Sequence, residues 1–210
     1  MTTSHDATLA SLLSADAICR LHDDSTSRWH HEVPSIPEGT AFIDIVLAQH
    51  LANFELWHIE DRARAPHASD HELAAVKRAV DSTNQRRNDL AERCDVMLLA
   101  ALEPHELPSL TAELHSESPG LMLDRLSILA LKIFHTREEI ARPSAPEGHA
   151  ERNRERLQIL EAQRADLASC LGKLWQQTLR GERRFKLYRQ LKMYNDPSLN
   201  PAMYRKGERA

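Results

Sequence analysis

The stretch over residues 121–134, which reads LMLDRLSILALKIF, decides the fold of this chain. Apolar side chains occupy nearly every face of a helix drawn through it, and a helix that is apolar all round is normally buried at the centre of a protein. Ser118 and Pro119 precede the stretch and are typical of a helix start, with serine as the N-cap and proline in the first turn. We therefore predict a central helix over residues 119–141.

Five further helices are predicted around the central one from apolar periodicity and from residues that mark helix boundaries. Ser69 followed by Glu72 indicates a capping box at the start of a long helix, and Gly181 is placed like a glycine that ends one. The predicted helices cover residues 6–22, 39–64, 70–102, 149–179 and 182–195. Four of the six are long, which predicts an all-α fold built as an antiparallel helical bundle.

The composition agrees with this fold class and excludes several functions. Six glycines and ten prolines among 210 residues leave few turn residues for a β-sandwich or a barrel. No glycine-rich phosphate loop, G-x-S-x-G elbow or H-E-x-x-H motif occurs, and the histidines are scattered, so a zinc site is not indicated. No uncharged apolar stretch approaches about 18 residues, so we predict no membrane span.

The cysteines Cys19, Cys94 and Cys170 lie far apart and show neither paired nor metal-binding spacing. This usage predicts a reducing compartment, and no signal peptide is indicated, so we predict a cytoplasmic protein. Cys94 and Cys170 fall among apolar helical positions and are expected to be buried. The predicted organisation is an N-terminal helix with a polar loop over 1–38, a bundle domain over 39–201 and a basic tail over 202–210.

The formal net charge of −4 is unevenly distributed along the chain. Residues 180–210 carry nine basic and three acidic side chains, so this segment is +6 and the remainder is −10. Such a segment is expected to contact an anion or the acidic body itself, whereas nucleic-acid binding is not favoured because no recognition motif accompanies the charge. Within it we single out Arg189, Lys192 and Asn195 as candidate ligand-binding residues.

The predicted helix 70–102 carries a polar stripe whose members fall within about 80° of arc and about 75° from its apolar stripe. Asparagine is a poor interior helix former, which suggests that the asparagines of this stripe are present because of the contacts that their side chains make. Asn84 and Asn88 are ligand candidates, and Asp81 and Asp95 are metal candidates. Ordinary hydrogen bonds between helices remain an equal alternative. The stripe comprises Lys77, Asp81, Asn84, Asn88, Glu92 and Asp95.

The central helix has charged exceptions at Asp124, Arg125, Lys132 and His135, which fall within about 100° of one another. Buried charges are costly unless they are paired, so these side chains either pair with neighbouring helices or face a polar cavity. A structural ion-pair network and a ligand pocket both remain open. In the second case Arg125 and Lys132 bind the ligand, and Asp124 and His135 are catalytic candidates.

The predicted helix 39–64 contributes the remaining candidates. Asn53 and Trp57 are candidate ligand-binding residues, and His58, Glu60 and Asp61 are catalytic candidates. Glu60 and Asp61 are also metal candidates, although adjacent helical residues diverge by about 100°. Because carboxylates and amides dominate this set, Mg²⁺ is the cation it favours, and no other cofactor is indicated.

One acidic spacing is similar to that of the all-α nucleoside-triphosphate pyrophosphatases, which hold Mg²⁺ between paired acidic motifs on neighbouring helices. Glu92 and Asp95 supply an E-x-x-D pair. The first E-x-x-E pair is absent, because His58 stands three residues after Glu55. A magnesium-dependent nucleotide pyrophosphohydrolase-like enzyme is therefore kept as an alternative.

Four strings carry a broader resemblance: NFELWHIEDRAR (53–64), VKRAVDSTNQRRND (76–89), LHSESPGLMLDRLSILALKI (114–133) and YRQLKMYNDPSLNP (188–201). Together they resemble the domain-of-unknown-function family 4254 over about residues 40–201. The resemblance implies a bacterial helical protein whose genes lie near those for glycosyltransferases and cell-envelope polysaccharides. Its strings include several positions that the helical geometry selects, among them Asn53, Asp81, Asn88, Asp124 and Lys132.

The first functional hypothesis is a polar pocket within the bundle that binds a phosphorylated or nucleotide-sugar-like anion, with Mg²⁺ as an optional cation. Charge-assisted hydrogen bonds from Arg125, Lys132, Arg189 and Lys192 would hold the anion, and His58 or His135 would carry a proton. The alternative is a non-enzymatic accessory or interaction protein of envelope polysaccharide enzymes, whose polar stripes are structural. A homo-oligomer is compatible with either hypothesis.

Overall fold

The structure, a computed structural model, describes residues 9–36, 39–191 and 198–201. Within these ranges the fold is all-α and helix-packed, which confirms the predicted fold class. The helices of 15 residues or more are α1 (Ala15–Trp29), α2 (Phe42–Ala63), α3 (Asp70–Leu102), α4 (Pro119–Ala141) and α5 (His149–Leu179). Helices α3, α4 and α5 begin and end at the predicted residues. The capping box of Ser69 and Glu72 at the start of α3 is also confirmed.

The four long helices pack as two hairpins. Residues 64–69 join α2 to α3, and Arg86 of α3 pairs with Glu55 of α2. Residues 142–148 join α4 to α5, and Arg137 donates to Glu161 across that pair at 2.7 Å. Exposed ion pairs contribute no more than about 1 kcal/mol, so apolar burial holds the hairpins together. The fully buried core includes Leu98, Leu123, Leu126, Leu171 and Trp175.

Helix α1 lies further along the chain than the predicted helix 6–22, so that prediction is wrong in its bounds. Ser14 caps its N-terminus and the helix continues to Trp29. Its buried face includes the polar residues His22 and Thr26, which apolar periodicity does not reveal. As a result His30 lies at the C-cap of a helix rather than in the middle of a loop.

The helix predicted over 182–195 is wrong for residues 182–191. Gly181 turns the chain with a φ of 70°, and β2 (Arg183–Arg184) then pairs in parallel with β1 (Glu113–Leu114). The His115 N–H donates to the Arg184 carbonyl at 2.8 Å, and Phe185 is buried. The backbone of this segment therefore forms hydrogen bonds with the α3–α4 connection and not the internal hydrogen bonds of a helix. That connection begins with a 3₁₀ turn (Glu103–His105).

The three cysteines are free. Cys94 is buried as predicted, and burial raises the pKa of its thiol to about 12. Cys170 is exposed, so the prediction of its burial is wrong. The buried face of α5 is centred on Leu167, Leu171 and Trp175, which places Cys170 about 100° away from it. No helix among the described residues is both long enough and apolar enough to cross a membrane.

Candidate functional site

A buried carboxylate on α4 collects partners from α2 and α3. Asp124 Oδ1 accepts hydrogen bonds from Gln49 Nε2 at 2.5 Å and from Asn53 Nδ2 at 2.9 Å. Arg87 Nε lies 3.3 Å from the same oxygen. Burial raises the pKa of Asp124, against the opposing influence of Arg87 and Asn53. With these partners in place, Asp124 fixes the relative positions of three helices.

The same network continues to α1 through a buried imidazole. Asn53 donates to Ser127 Oγ at 2.9 Å, and Ser127 donates to His50 Nδ1 at 2.7 Å. His50 Nε2 faces the His22 carbonyl at 3.1 Å and Thr26 Oγ1 at 2.9 Å. Since a carbonyl only accepts, Nε2 carries the proton. Burial lowers the pKa of His50 to about 3, which keeps the ring neutral.

Asp95 is a residue of α3 that holds the start of α4. Its carboxylate accepts from Ser118 Oγ at 2.5 Å and from the Gly120 N–H at 2.6 Å. Ser118 is the predicted N-cap residue, but its hydroxyl bonds to Asp95 rather than to its own helix. Burial raises the pKa of Asp95 to about 6. Asp95, a metal candidate by sequence, therefore acts as a helix cap supplied by a neighbouring helix.

Two cavities meet at the Trp57 side chain, and together we call them the Trp57 cleft. The inner cavity, of about 410 Å³, lies between α2, α3 and α4. The outer cavity, of about 680 Å³, lies between α4 and α5. Polar side chains that line the inner cavity include Asn53, Glu60, Asp61, Arg64 and Arg87. Those of the outer cavity include Lys132, His135, Arg152, Asn153 and Arg156.

The outer cavity has an excess of positive charge. Lys132, Arg152 and Arg156 line it together with Glu139 and Glu155. Glu139 already pairs with Arg142 at 3.3 Å and lies 2.8 Å from the His149 ring. Within the described part of the chain, none of the three basic side chains has an ion pair. Arg156 donates a hydrogen bond to the neutral side chain of Asn153 at 3.0 Å, so the positive charges of all three remain available to an anion.

Three histidines lie together beside the cleft. His30 follows α1, His58 lies on α2 and His135 lies on α4, and one nitrogen from each ring lies within 4.8 Å of the others. The Trp57 ring stacks on His135 with centroids 4.6 Å apart. Burial lowers the pKa of His58, and the neighbouring imidazoles of His30 and His135 lower it further, against Asp61. The structure thus joins two catalytic candidates, His58 and His135, with a third histidine that was not a candidate.

The predicted polar stripe of α3 is divided between separate environments. Asp81 is half-buried and pairs with Lys77. Asn84 is half-buried and Asn88 is buried, and neither lines the Trp57 cleft. Of the predicted metal carboxylates, Glu60 and Asp61 line the inner cavity, whereas Asp81 and Asp95 are engaged elsewhere. Among the described residues, the histidine trio is the grouping that places three potential metal-binding side chains together.

The four predicted anion-binding residues do not come together within the described chain. Arg125 bonds to both carboxylate oxygens of Glu117 at 2.9 Å, although it also borders a further cavity with Lys132. Arg189 is exposed and lines a different cavity beside α3. Lys132 is the one that lines the Trp57 cleft. Lys192 and Asn195 lie outside the described residues.

Sequence reasoning did not select several side chains that the structure places here. Arg87 interrupts the apolar stripe of α3, and that interruption was a usable signal of its inward position. Arg152 and Arg156 lie one helical turn apart in a strongly charged sequence. No feature of that sequence distinguishes them from charged residues that face solvent. His30 was obscured because α1 was predicted too early in the chain.

The fold and the site define the class of this protein. It is an all-α protein with a polar network inside its helix packing and a charged cleft at one side. The sequence profile of the family described as Protein of unknown function (DUF4254) matches residues 43–187, most of the chain, and the protein belongs to that family. Comparisons with curated proteins and with solved structures gave no match.

Proposed function

We propose that the Trp57 cleft binds a phosphorylated small molecule of the nucleotide-sugar type, with its anionic group in the outer cavity. The observation that carries this proposal is the set Lys132, Arg152 and Arg156, which lines one cavity without an ion pair among the described residues. Guanidinium and ammonium groups form charge-assisted hydrogen bonds to phosphate oxygens, about twice as strong as neutral ones.

The inner cavity suits the uncharged part of such a ligand. Its volume of about 410 Å³ lies within the usual range for small-molecule sites. The Trp57 indole offers a flat apolar wall against which a sugar or a base packs. Glu60 and Asp61 offer acceptors for hydroxyl groups. Mg²⁺ is usually bound by one or two carboxylates together with a substrate phosphate, and these two side chains could supply such carboxylates.

The setting that we propose follows from family membership and from the cysteines. The resemblance implies a bacterial protein associated with cell-envelope polysaccharide metabolism, in which sugars are carried as phosphorylated donors. Three free cysteines suit a reducing compartment such as the cytoplasm. An accessory protein that senses the ligand is the alternative to an enzyme that converts it.

The test is a thermal-unfolding and calorimetric screen with pyrophosphate, UDP-glucose and glucose, each with and without Mg²⁺. A ligand at about 100 times its Kd stabilises the folded state by about 2.7 kcal/mol, which raises the Tm by several degrees. We expect UDP-glucose and pyrophosphate to raise the Tm, and glucose alone to have little effect. Addition of Mg²⁺ strengthens binding if Glu60 and Asp61 take part.

Lys132→Ala and Arg152→Ala are expected to weaken binding at least about tenfold, which is the loss of roughly 1.4 kcal/mol per charge-assisted contact. Lys173→Ala is the matched control, because Lys173 is an exposed lysine of α5 away from the cleft. The absence of any shift across the panel would contradict the proposal and favour the non-enzymatic interaction protein. Equal weakening by Lys173→Ala would show a non-specific charge effect and would also count against it.

A further inference from the structure

The geometry points to a binding site for a divalent transition metal, of the Zn²⁺ class, formed by His30, His58 and His135. It goes beyond the proposed anion cleft, since it rests on other side chains except for His135. One nitrogen from each ring lies within 4.8 Å of the others. Nitrogen ligands at about 2.0–2.1 Å from a tetrahedral metal lie about 3.3 Å apart, so closure requires ring movements of about 1.5 Å or less.

The hydrogen bonds of two rings leave one nitrogen of each ring available as a lone-pair donor. His30 Nδ1 lies 2.7 Å from the Thr26 carbonyl, and His135 Nδ1 lies 2.7 Å from Glu138 Oε2. Both partners only accept, so both Nδ1 atoms carry the proton and both Nε2 atoms do not. Each Nε2 is buried and has no hydrogen-bond partner among the described residues. Metal-binding histidines are typically oriented in this way, by a carbonyl or carboxylate on the other nitrogen.

The topology explains why residues so distant in sequence meet. Thr26 and Ser127 both bond to the His50 ring, and one layer further on the rings of the trio contact one another. His58 follows His50 by eight residues, and His135 follows Ser127 by eight. Eight helical residues rise about 12 Å. Helices α1, α2 and α4 thus run in the same direction and bring their later turns to the same end of the fold.

The surroundings of the trio limit which metal fits and leave one position open. Three imidazole nitrogens suit Zn²⁺, Co²⁺, Ni²⁺ or Cu²⁺ rather than Mg²⁺ or Ca²⁺. Aromatic rings border the trio: Phe134 stacks on His30 with centroids 4.2 Å apart, and Phe54 contacts His58 at 4.5 Å. A fourth position remains for water or a ligand atom, as in zinc sites with three histidines.

The experiment titrates metal-free protein, prepared with EDTA, first with Co²⁺ and then with Zn²⁺. We expect the strong visible absorption of four- or five-coordinate Co²⁺, and its loss when one equivalent of Zn²⁺ displaces the cobalt. Calorimetry with Zn²⁺ should give one site per chain. A wild-type cobalt spectrum typical of the hexaaqua ion, or calorimetry without saturable binding, overturns the proposal. Both are measurements on the unmodified protein, so they do not depend on the folding of a variant.

Variants then assign the ligands. His58→Ala and His135→Phe should each weaken Zn²⁺ binding well beyond tenfold, and Glu138→Gln, which alters only the support of His135, by about tenfold. The control is His71→Ala, since His71 is an exposed histidine on α3, and it should bind as the wild type does. Unchanged affinity in both His58→Ala and His135→Phe places the metal elsewhere and overturns the assignment. Loss in His71→Ala alone has the same consequence.

Discussion

The two ends of α4 meet their neighbours in opposite ways. At its beginning, the Asp95 carboxylate accepts from Ser118 and from the Gly120 backbone, so the polar groups there satisfy one another. Near its end, His135 contacts His30, and each ring has a buried nitrogen without a partner in the part of the chain that the structure describes. Buried polar atoms are nearly always satisfied, and each exception requires an explanation. The first end has a structural role, whereas the second carries the metal site that we propose.

The largest expected effect belongs to the carboxylate between these two ends. Asp124→Ala should lower the free energy of unfolding by about 3–5 kcal/mol, because it removes the acceptor of Gln49, one of the two acceptors of Asn53 and the ion-pair partner of Arg87. Urea unfolding followed by circular dichroism measures it. Asp124→Asn keeps an acceptor oxygen and should lose less. A loss below about 1 kcal/mol in Asp124→Ala would mean that the network does not hold the helices together.

A smaller loss is expected where α4 begins against α3. A Cβ on Gly120 would lie 2.2 Å from the Ala91 carbonyl oxygen, so Gly120→Ala must separate the helices and should cost about 3 kcal/mol. Gly172→Ala is the matched control, because a Cβ there lies within 4 Å of none of the described neighbours. It should be neutral or stabilising by up to about 1 kcal/mol. Equal effects of the two substitutions in urea unfolding would refute the close packing of this end.

The pH dependence of stability tests the cap itself. The pKa of Asp95 is about 6 in the folded chain, against 3.8 for an unperturbed aspartate, so the folded state binds this proton more tightly than the unfolded state. Between pH 4 and 6, stability therefore falls as the pH rises, by on the order of 2–3 kcal/mol from this group. Asp95→Asn removes that contribution. Unfolding free energies of the two proteins at pH 4, 5, 6 and 7 should diverge, and parallel curves would contradict the shift.

The smallest effect is expected at the histidine end. In metal-free protein, His135→Phe should change the free energy of unfolding by less than about 1 kcal/mol. The phenyl ring keeps the stack on Trp57 and removes a buried nitrogen that has no partner among the described residues. What is lost is the hydrogen bond from His135 Nδ1 to the exposed Glu138 carboxylate. Urea unfolding in EDTA measures it. A loss above about 2 kcal/mol would show that the ring has a structural role like that of Asp95.

Much of the fold was predictable from local patterns. Helices α3, α4 and α5 have boundary residues within their own sequence, such as Ser69, Pro119 and Gly181, and long apolar periodicity between them. Helix α1 was misplaced because its buried face includes polar side chains such as His22. The amphipathic pattern after Gly181 predicts a helix from local sequence alone, whereas the Arg184 carbonyl accepts from the distant His115 N–H in the α3–α4 connection.

The candidate site was predictable only in part, for the same reason. Asp124 and Lys132 are candidates because they interrupt an apolar helix. In the structure Asp124 is the centre of the buried hydrogen-bond network, and Lys132 lines the Trp57 cleft. Helical angles show which side chains lie near the core, but they do not show which residues of other helices those side chains contact. Asp95 was consequently grouped with Asp81, although it is a buried cap and Asp81 pairs with Lys77 nearer to the surface.

The sequence by itself determined the all-α class, the bounds of three long helices and the presence of inward-facing charge, because all of these depend on periodicity and caps within one segment. Tertiary structure alone decided which of those charges are satisfied. Helices that run in the same direction bring His30, His58 and His135 to one end, although more than seventy residues separate the last two. That meeting depends on helix direction and offset, which are properties of the packed chain and leave no short-range spacing in the sequence.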